Sequence, residues 1–127
     1  MKEVIRTEFA PAPFQGAPYS QAIKANGFVF VAGQVGIEPE NPQPVGDGIR
    51  AQTEQTLMNL RAILEAAGSS MDKLVKTTVF LTNLDDFQGM NEVYKKHVGD
   101  RPPARSTFEV SRLPPGLLVE IEAIAAE

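Results

Sequence analysis

Residues 47–84, DGIRAQTEQTLMNLRAILEAAGSSMDKLVKTTVFLTNL, decide the fold. In the first part, Ile49, Thr53, Leu57, Leu60, Leu64 and Ala67 recur at helical spacing and form one stripe. Asp47 stands where an N-cap belongs, and Gly68 where a left-handed C′ residue belongs. The stretch KLVKTTVFLTNL, 73–84, is rich in β-branched residues and reads as a strand. An amphipathic helix that leads directly into a strand marks a chain that layers helices on a sheet.

Downstream, DDFQGMNEVYKKHVG (85–99) predicts a second helix, with Phe87, Met90 and Tyr94 as its apolar stripe. Asp85 with Gln88 resembles a capping box. ARSTFEV (104–110) and LLVEIEAIA (117–125) predict the last two strands, joined by SRLPPG. Upstream, VIRT (4–7) is a short strand, and QAIKANGFVFVAGQV (21–35) contains a hairpin. There Asn26-Gly27 sits between apolar runs, and both residues tolerate the positive φ of a type I′ turn. FVFVAGQV (28–35) is nearly continuous in apolar residues, which predicts burial on both faces. Gly33 within it signals a bulge or a close backbone approach. Prolines collect in 11–18, 39–44 and 102–115, which are read as connections.

The expected fold is α+β: a two-layer sandwich of one mixed β-sheet with two helices on one face, in a single domain spanning 1–127. Two helices leave the sheet's other face bare. Association with further copies of the chain is the simplest cover.

Composition narrows the chemistry. The chain has 127 residues, no cysteine, one histidine (His97) and a formal net charge of −4. A thiol nucleophile, disulfides and thiolate metal sites are excluded, and a lone histidine removes His-rich metal sites and argues against a Ser-His-Asp scheme. The acidic balance gives no footprint for nucleic acid. The N-terminus lacks a signal-peptide apolar region, and no apolar run nears the roughly 18 residues of a membrane span. A cytoplasmic protein without membrane or nucleic-acid partners is expected.

Some polar residues sit in the most apolar strands. Along 104–110, Arg105, Thr107 and Glu109 share a face; along 117–125, Glu120 and Glu122 do. An antiparallel hairpin pairing Thr107 with Glu120 also pairs Arg105 with Glu122. One reading is an ordinary cross-strand ion pair on a solvent face. The other is an arginine that binds a carboxylate beside a general acid/base, a task its planar, permanently charged fork suits. Tyr19, in a Pro/Gly loop, is a packing lid or a functional hydroxyl. Asn91, beside the second helix's stripe, satisfies a backbone group or points into a site. His97 sits near a helix end, where a structural role fits.

PYSQA, FVFVAGQ, AAG, KLVKTTVFLTNLDDF, MNEVY, RPPARSTFEVSRLP and VEIEAIA, in that order, resemble the RidA/YjgF enamine/imine deaminases over nearly the whole chain. The resemblance implies a chorismate-mutase-like fold and a homotrimer with active sites in clefts between subunits. It implies hydrolysis of 2-imino acids such as 2-iminobutanoate and 2-iminopropanoate to 2-oxo acids and ammonia, without cofactor or metal. By motif, Arg105 would bind the substrate carboxylate, and Glu120 would activate water and shuttle the proton. Tyr19 and Asn91 would line the cleft, Gly33 would sit against substrate, and Thr107 would offer its backbone N–H.

Three departures from the family pattern bear on substrate preference. Thr107 replaces a frequent Cys, Ala32 a frequent Ser, and FQGAPY the more usual IGPY. Two rival functions follow from the same residues: a non-catalytic binder of oxo acids or other small carboxylates through Arg105, and a ribonuclease or translation inhibitor, which the acidic balance opposes.

Overall fold

Strand alternation and helical spacing resolve into eight strands and two α-helices in the computed structural model, which describes residues 1–127. They are β1 (Glu3–Ile5), β2 (Ala22–Ala25), β3 (Phe28–Val35), β4 (Ile37–Glu38), β5 (Asn41–Pro44), α1 (Gly48–Ala66), β6 (Leu74–Leu81), α2 (Phe87–Val98), β7 (Ala104–Glu109) and β8 (Val119–Ala126). Six strands form one mixed sheet in the order β1-β2-β3-β8-β6-β7. All neighbours are antiparallel except β6 and β7, which are parallel.

The core forms where one strand face meets the helices. Val29, Val31, Val79, Leu81, Val119, Ile121, Ala123 and Ala125 point to that side and are buried. They pack against Leu57, Leu60, Ile63 and Leu64 of α1 and Met90, Val93 and Tyr94 of α2. The predicted α1 stripe is buried throughout. Truncating a fully buried member such as Leu57 to Ala costs about 2–5 kcal/mol. Gly68, at φ 81°, closes the helix: its N–H and that of Ser69 donate to Glu65 and Leu64, a Schellman arrangement.

The final strands depart from the expected hairpin. β7 follows α2 in a β-α-β crossover, which returns the chain parallel to β6, at the sheet edge. The proline-containing connection then carries the chain past β6, and β8 inserts between β6 and β3. β7 and β8 are therefore not neighbours. Arg105 aligns with Thr77 and Ala123, whereas Glu122 aligns with Thr78 and Ser106, so the two charges lie on opposite faces and form no pair.

Strand β3 is buried on one face only, against expectation. Val29 and Val31 are in the core, but Phe28 and Phe30 are 40% and 43% exposed on the side that has no helix. With Val4, Ile23 and Ile124 aligned across the same row as Phe30, they make an open apolar face. The β4–β5 hairpin falls where prolines read as plain connection; its strand carries Pro42 and Pro44, which edge positions tolerate. Asn59 fixes its base by donating to the carbonyls of Val35 and Ile37 at 3.0 and 2.8 Å. Both helix starts differ from the expected caps. Asp47 takes a left-handed conformation, φ 65°, and its side chain caps nothing. Ahead of α2 it is Asn83, not an Asp85–Gln88 box, that accepts an N–H, from Asp85 at 2.8 Å.

Candidate functional site

Two clefts hold the expected residues, one on each side of the sheet. The first is built at its β7 edge. Parallel register sets Arg105 beside Thr77, on the helix side, where α2 covers it. The Arg105 Nη1 donates to Asn91 Oδ1 at 2.8 Å. Its Cζ lies 4.8 Å from the Tyr94 ring centroid and 5.5 Å from that of Phe87, within cation–π range of both. Asn91 thus points at the arginine rather than at backbone. No carboxylate of the chain pairs with Arg105; the ion pairs are Lys24–Glu127, Arg50–Glu92 and His97–Glu54. A cleft of about 380 Å³ opens beside it, walled by Lys95, Pro102 and Pro103.

Thr107 contributes to the same edge through its backbone. Val110 donates its N–H to Leu81 at 2.8 Å, so alternation turns the N–H groups of Arg105 and Thr107 to the free side. The Thr107 hydroxyl points inward instead, buried and unpartnered. Burial pushes the Tyr94 phenol above its ordinary pKa, offset in part by its bond to Thr77 and by the charge and hydrogen bonding of Arg105.

The second cleft lies on the open face. Glu120 is half-buried there, aligned with Val35 on one side and Phe80 on the other. The β3–β8 register passes from Val31↔Ala123 to Gln34↔Ile121, which places Ala32 and Gly33 opposite Glu122 alone. That bulge bares the Gly33 backbone, and the Glu120 carboxyl lies flat on it: a Cβ at Gly33 would stand 2.7 Å from Glu120 Cδ. Both readings of Gly33 hold, and what approaches it is Glu120. Burial, and then the nearby Glu122 charge, raise the Glu120 pKa above the usual carboxylate value. Arg105, on the far face, does not counteract this.

Two buried glutamines hold the loops around Glu120. Gln21 accepts the Thr7 N–H and donates to the carbonyls of Thr7, Ala10 and Pro11, pinning the segment that carries Phe14 and Tyr19. Gln52 donates to Gly116 and accepts from Leu118, both at 2.8 Å, fixing the approach to β8. The Tyr19 hydroxyl accepts the Phe14 N–H at 2.6 Å, so this ring both closes its loop and walls the cleft. Phe14, Tyr19, Ala32, Val35 and Pro114 surround Glu120 in a cleft of about 320 Å³. His97 stands apart from both clefts and joins the helices through Glu54 at 2.8 Å.

Sequence reasoning missed Phe87 and Tyr94 as the arginine's neighbours, and Phe14, Val35 and Pro114 as walls. For the first two a signal existed: Phe87, Asn91 and Tyr94 fall at i, i+4, i+7 and share one helix face. The walls come from separate loops and carry no spacing that could reveal them.

Comparison with known proteins places the fold and the sequence in one family. The family model described as Endoribonuclease L-PSP matches residues 9–127. A RutC family protein of Pyrococcus horikoshii is 54% identical over 125 residues, covering 98% of both chains. The 2-iminobutanoate/2-iminopropanoate deaminase of Mus musculus is 42% identical over 127 residues, covering 100% of this chain and 93% of its own. Among solved structures, RidA from a Psychrobacter species superposes with TM-score 0.92 at 42% identity, covering 98% of this chain and 99% of that one. E. coli TdcF with bound serine does so with TM-score 0.90 at 38% identity, covering 98% of each. With fold, length and sequence matched from the N-terminal loop to the end of β8, the chain belongs to the Endoribonuclease L-PSP family, that of RidA/YjgF.

Proposed function

We propose that this chain hydrolyses 2-imino acids, 2-iminobutanoate and 2-iminopropanoate among them, to 2-oxo acids and ammonia. One observation carries the reading: Arg105 and Glu120 stand in open half-clefts on opposite faces of one sheet, each lacking what the other has. A second copy, laid on the apolar open face, can supply the missing half. A homotrimer closes this arrangement with three equal sites.

The chemistry needs little more than the two halves. The Arg105 fork and the outward Thr107 N–H grip the substrate carboxylate. The iminium carbon is already electrophilic, so water can attack without a covalent nucleophile. The partner's Glu120 takes a proton from that water as the C–O bond forms. It returns that proton to nitrogen; the hydroxyl O–H then gives its proton to the same carboxylate as the C–N bond breaks, so that C=O forms and ammonia leaves. Positioning supplies much of the acceleration, and a carboxylate acid/base adds about 10²–10⁴-fold. A Glu120 pKa raised by burial makes the ionised carboxylate a stronger proton acceptor. A cytoplasmic setting fits the clearance of imines released by other enzymes. RNA cleavage finds less support, because the net charge is −4.

The test is oxo-acid release from freshly generated 2-iminobutanoate, with Arg105→Ala as control. Wild-type turnover that falls sharply in the variant is expected. Equal rates would remove Arg105 from the mechanism, and binding of 2-oxobutanoate without turnover would favour a non-catalytic carboxylate binder.

A further inference from the structure

Arg105 sits on an edge strand, and its long side chain has much rotamer freedom to lose before it can bind a carboxylate with both arms. Three contacts from one face of α2 restrict it. Asn91 takes a single guanidinium hydrogen, while the rings of Tyr94 and Phe87 lie 4.8 and 5.5 Å from Cζ. The Tyr94 ring is itself tethered. Its hydroxyl and Thr77 Oγ1 are 2.6 Å apart, and both residues are buried. Thr77 is also the β6 residue aligned with Arg105. The contacts therefore close a loop: the Arg105 backbone pairs along Thr77, the Thr77 hydroxyl holds Tyr94, and the Tyr94 ring holds the guanidinium.

We propose that Tyr94, tethered to Thr77, is a positioning residue that aims the Arg105 fork at the substrate carboxylate, with Phe87 restricting it further. The role rests on the reading of Arg105 as carboxylate anchor. Tyr94 is not itself a catalytic group: its hydroxyl is engaged with Thr77 and buried behind the arginine. The ring face and the hydroxyl oxygen both meet the guanidinium, and the tether to Thr77 keeps them turned to it.

The test uses Thr77→Val and Tyr94→Phe, which cut the tether from either end with little change of shape, and Tyr94→Leu, which removes the ring. Thermal melting confirms that each variant is folded. For the two tether variants KM for 2-iminobutanoate is expected to rise about threefold to tenfold with kcat within twofold of wild type. Competitive inhibition by 2-oxobutanoate should weaken to match. Thr77→Val combined with Tyr94→Phe should be no worse than Tyr94→Phe alone, because the Thr77–Tyr94 hydrogen bond is lost only once. Tyr94→Leu should exceed them. A folded Thr77→Val with unchanged KM and unchanged inhibition overturns the proposal while leaving the hydrolase reading intact. Should the wild type fail to turn over the imine, the hydrolase reading falls and calorimetry with 2-oxobutanoate decides the tether. Weaker binding by Thr77→Val than by wild type then upholds it, and equal affinity, or no wild-type binding, overturns it.

Discussion

The Glu120 carboxyl rests on the bare backbone of Gly33, with Cδ 2.7 Å from the point where any larger residue would place its Cβ. Gly33 has no unusual φ, so the demand for glycine comes from this approach and not from the backbone. Gly33→Ala should leave the fold in place and push Glu120 aside. The expected result is a kcat reduced about 10²-fold, nearing that of Glu120→Gln, with little change in melting temperature. Ammonia release by the purified variant measures it. Wild-type kcat in Gly33→Ala would show that the position of Glu120 on β3 does not matter to the chemistry.

The electrostatics of Glu120 give a pH prediction with a definite sign. Burial first, and then Glu122, hold its pKa above the ordinary carboxylate value. The folded state therefore keeps a proton that the unfolded state gives up. The associated stability is fully present below the ordinary value and is lost as pH rises through the raised one. Glu120→Gln removes that loss. Its melting temperature should exceed that of wild type at neutral pH, and the difference should vanish below the ordinary carboxylate pKa. Glu122→Gln removes one like charge, so the acid limb of kcat/KM should move to lower pH. A limb that stays put would mean that another group limits the rate.

How far these residues were legible depends on what a sequence encodes. Alternation reports which face of its own strand a side chain takes, and it identified Glu120 and Arg105 as misplaced polar groups in apolar strands. It does not report which strand lies alongside. The hairpin joining Arg105 to Glu122 failed because the α2 crossover sends β7 to the edge next to β6 and leaves the slot beside β3 to β8. Helical spacing placed the whole α1 stripe correctly, since one long amphipathic helix has one way to meet a sheet. The same spacing placed Tyr94 on one face with Phe87 and Asn91 but not its role, because a ring that packs in the core and a ring that braces an arginine obey the same periodicity. The open face of β3 was misread for a different reason. Phe28 and Phe30 carry the composition of a strand covered on both sides, and one copy of the chain provides only one cover.

That mismatch can be measured. Phe28 and Phe30 lie on the uncovered face with ring centroids 6.3 Å apart and planes tilted by 54°. Phe30→Glu should leave the core intact, because Val29 and Val31 point the other way. It should place a charge within any contact made there, at a cost of several kcal/mol per site when buried. Sedimentation at micromolar concentration is expected to show wild type as a trimer and the variant as a folded monomer without imine hydrolysis. A wild-type monomer with full activity would contradict both the covered face and the shared site.

The division of the site between faces has a consequence that no property of one chain can imitate. If Arg105 and Glu120 act across a subunit boundary, Arg105→Ala and Glu120→Gln each disable every site in their own homotrimer. Each variant keeps intact the half that the other has lost. In mixed trimers a site is restored wherever the arginine comes from the Glu120→Gln chain and the carboxylate from the Arg105→Ala chain. Random assembly of equal amounts should restore about a quarter of all sites, since each half is correct with even odds. Co-expression of the two variants with different affinity tags, sequential purification of the mixed species and measurement of oxo-acid release supply the readout. Co-expressing the double variant with wild type is the control for dilution. Selecting trimers that carry both tags should enrich activity above the unselected pool. If Arg105 and Glu120 instead served one site within a chain, no mixture of the two inactive proteins would recover turnover, and the restored fraction would be indistinguishable from zero.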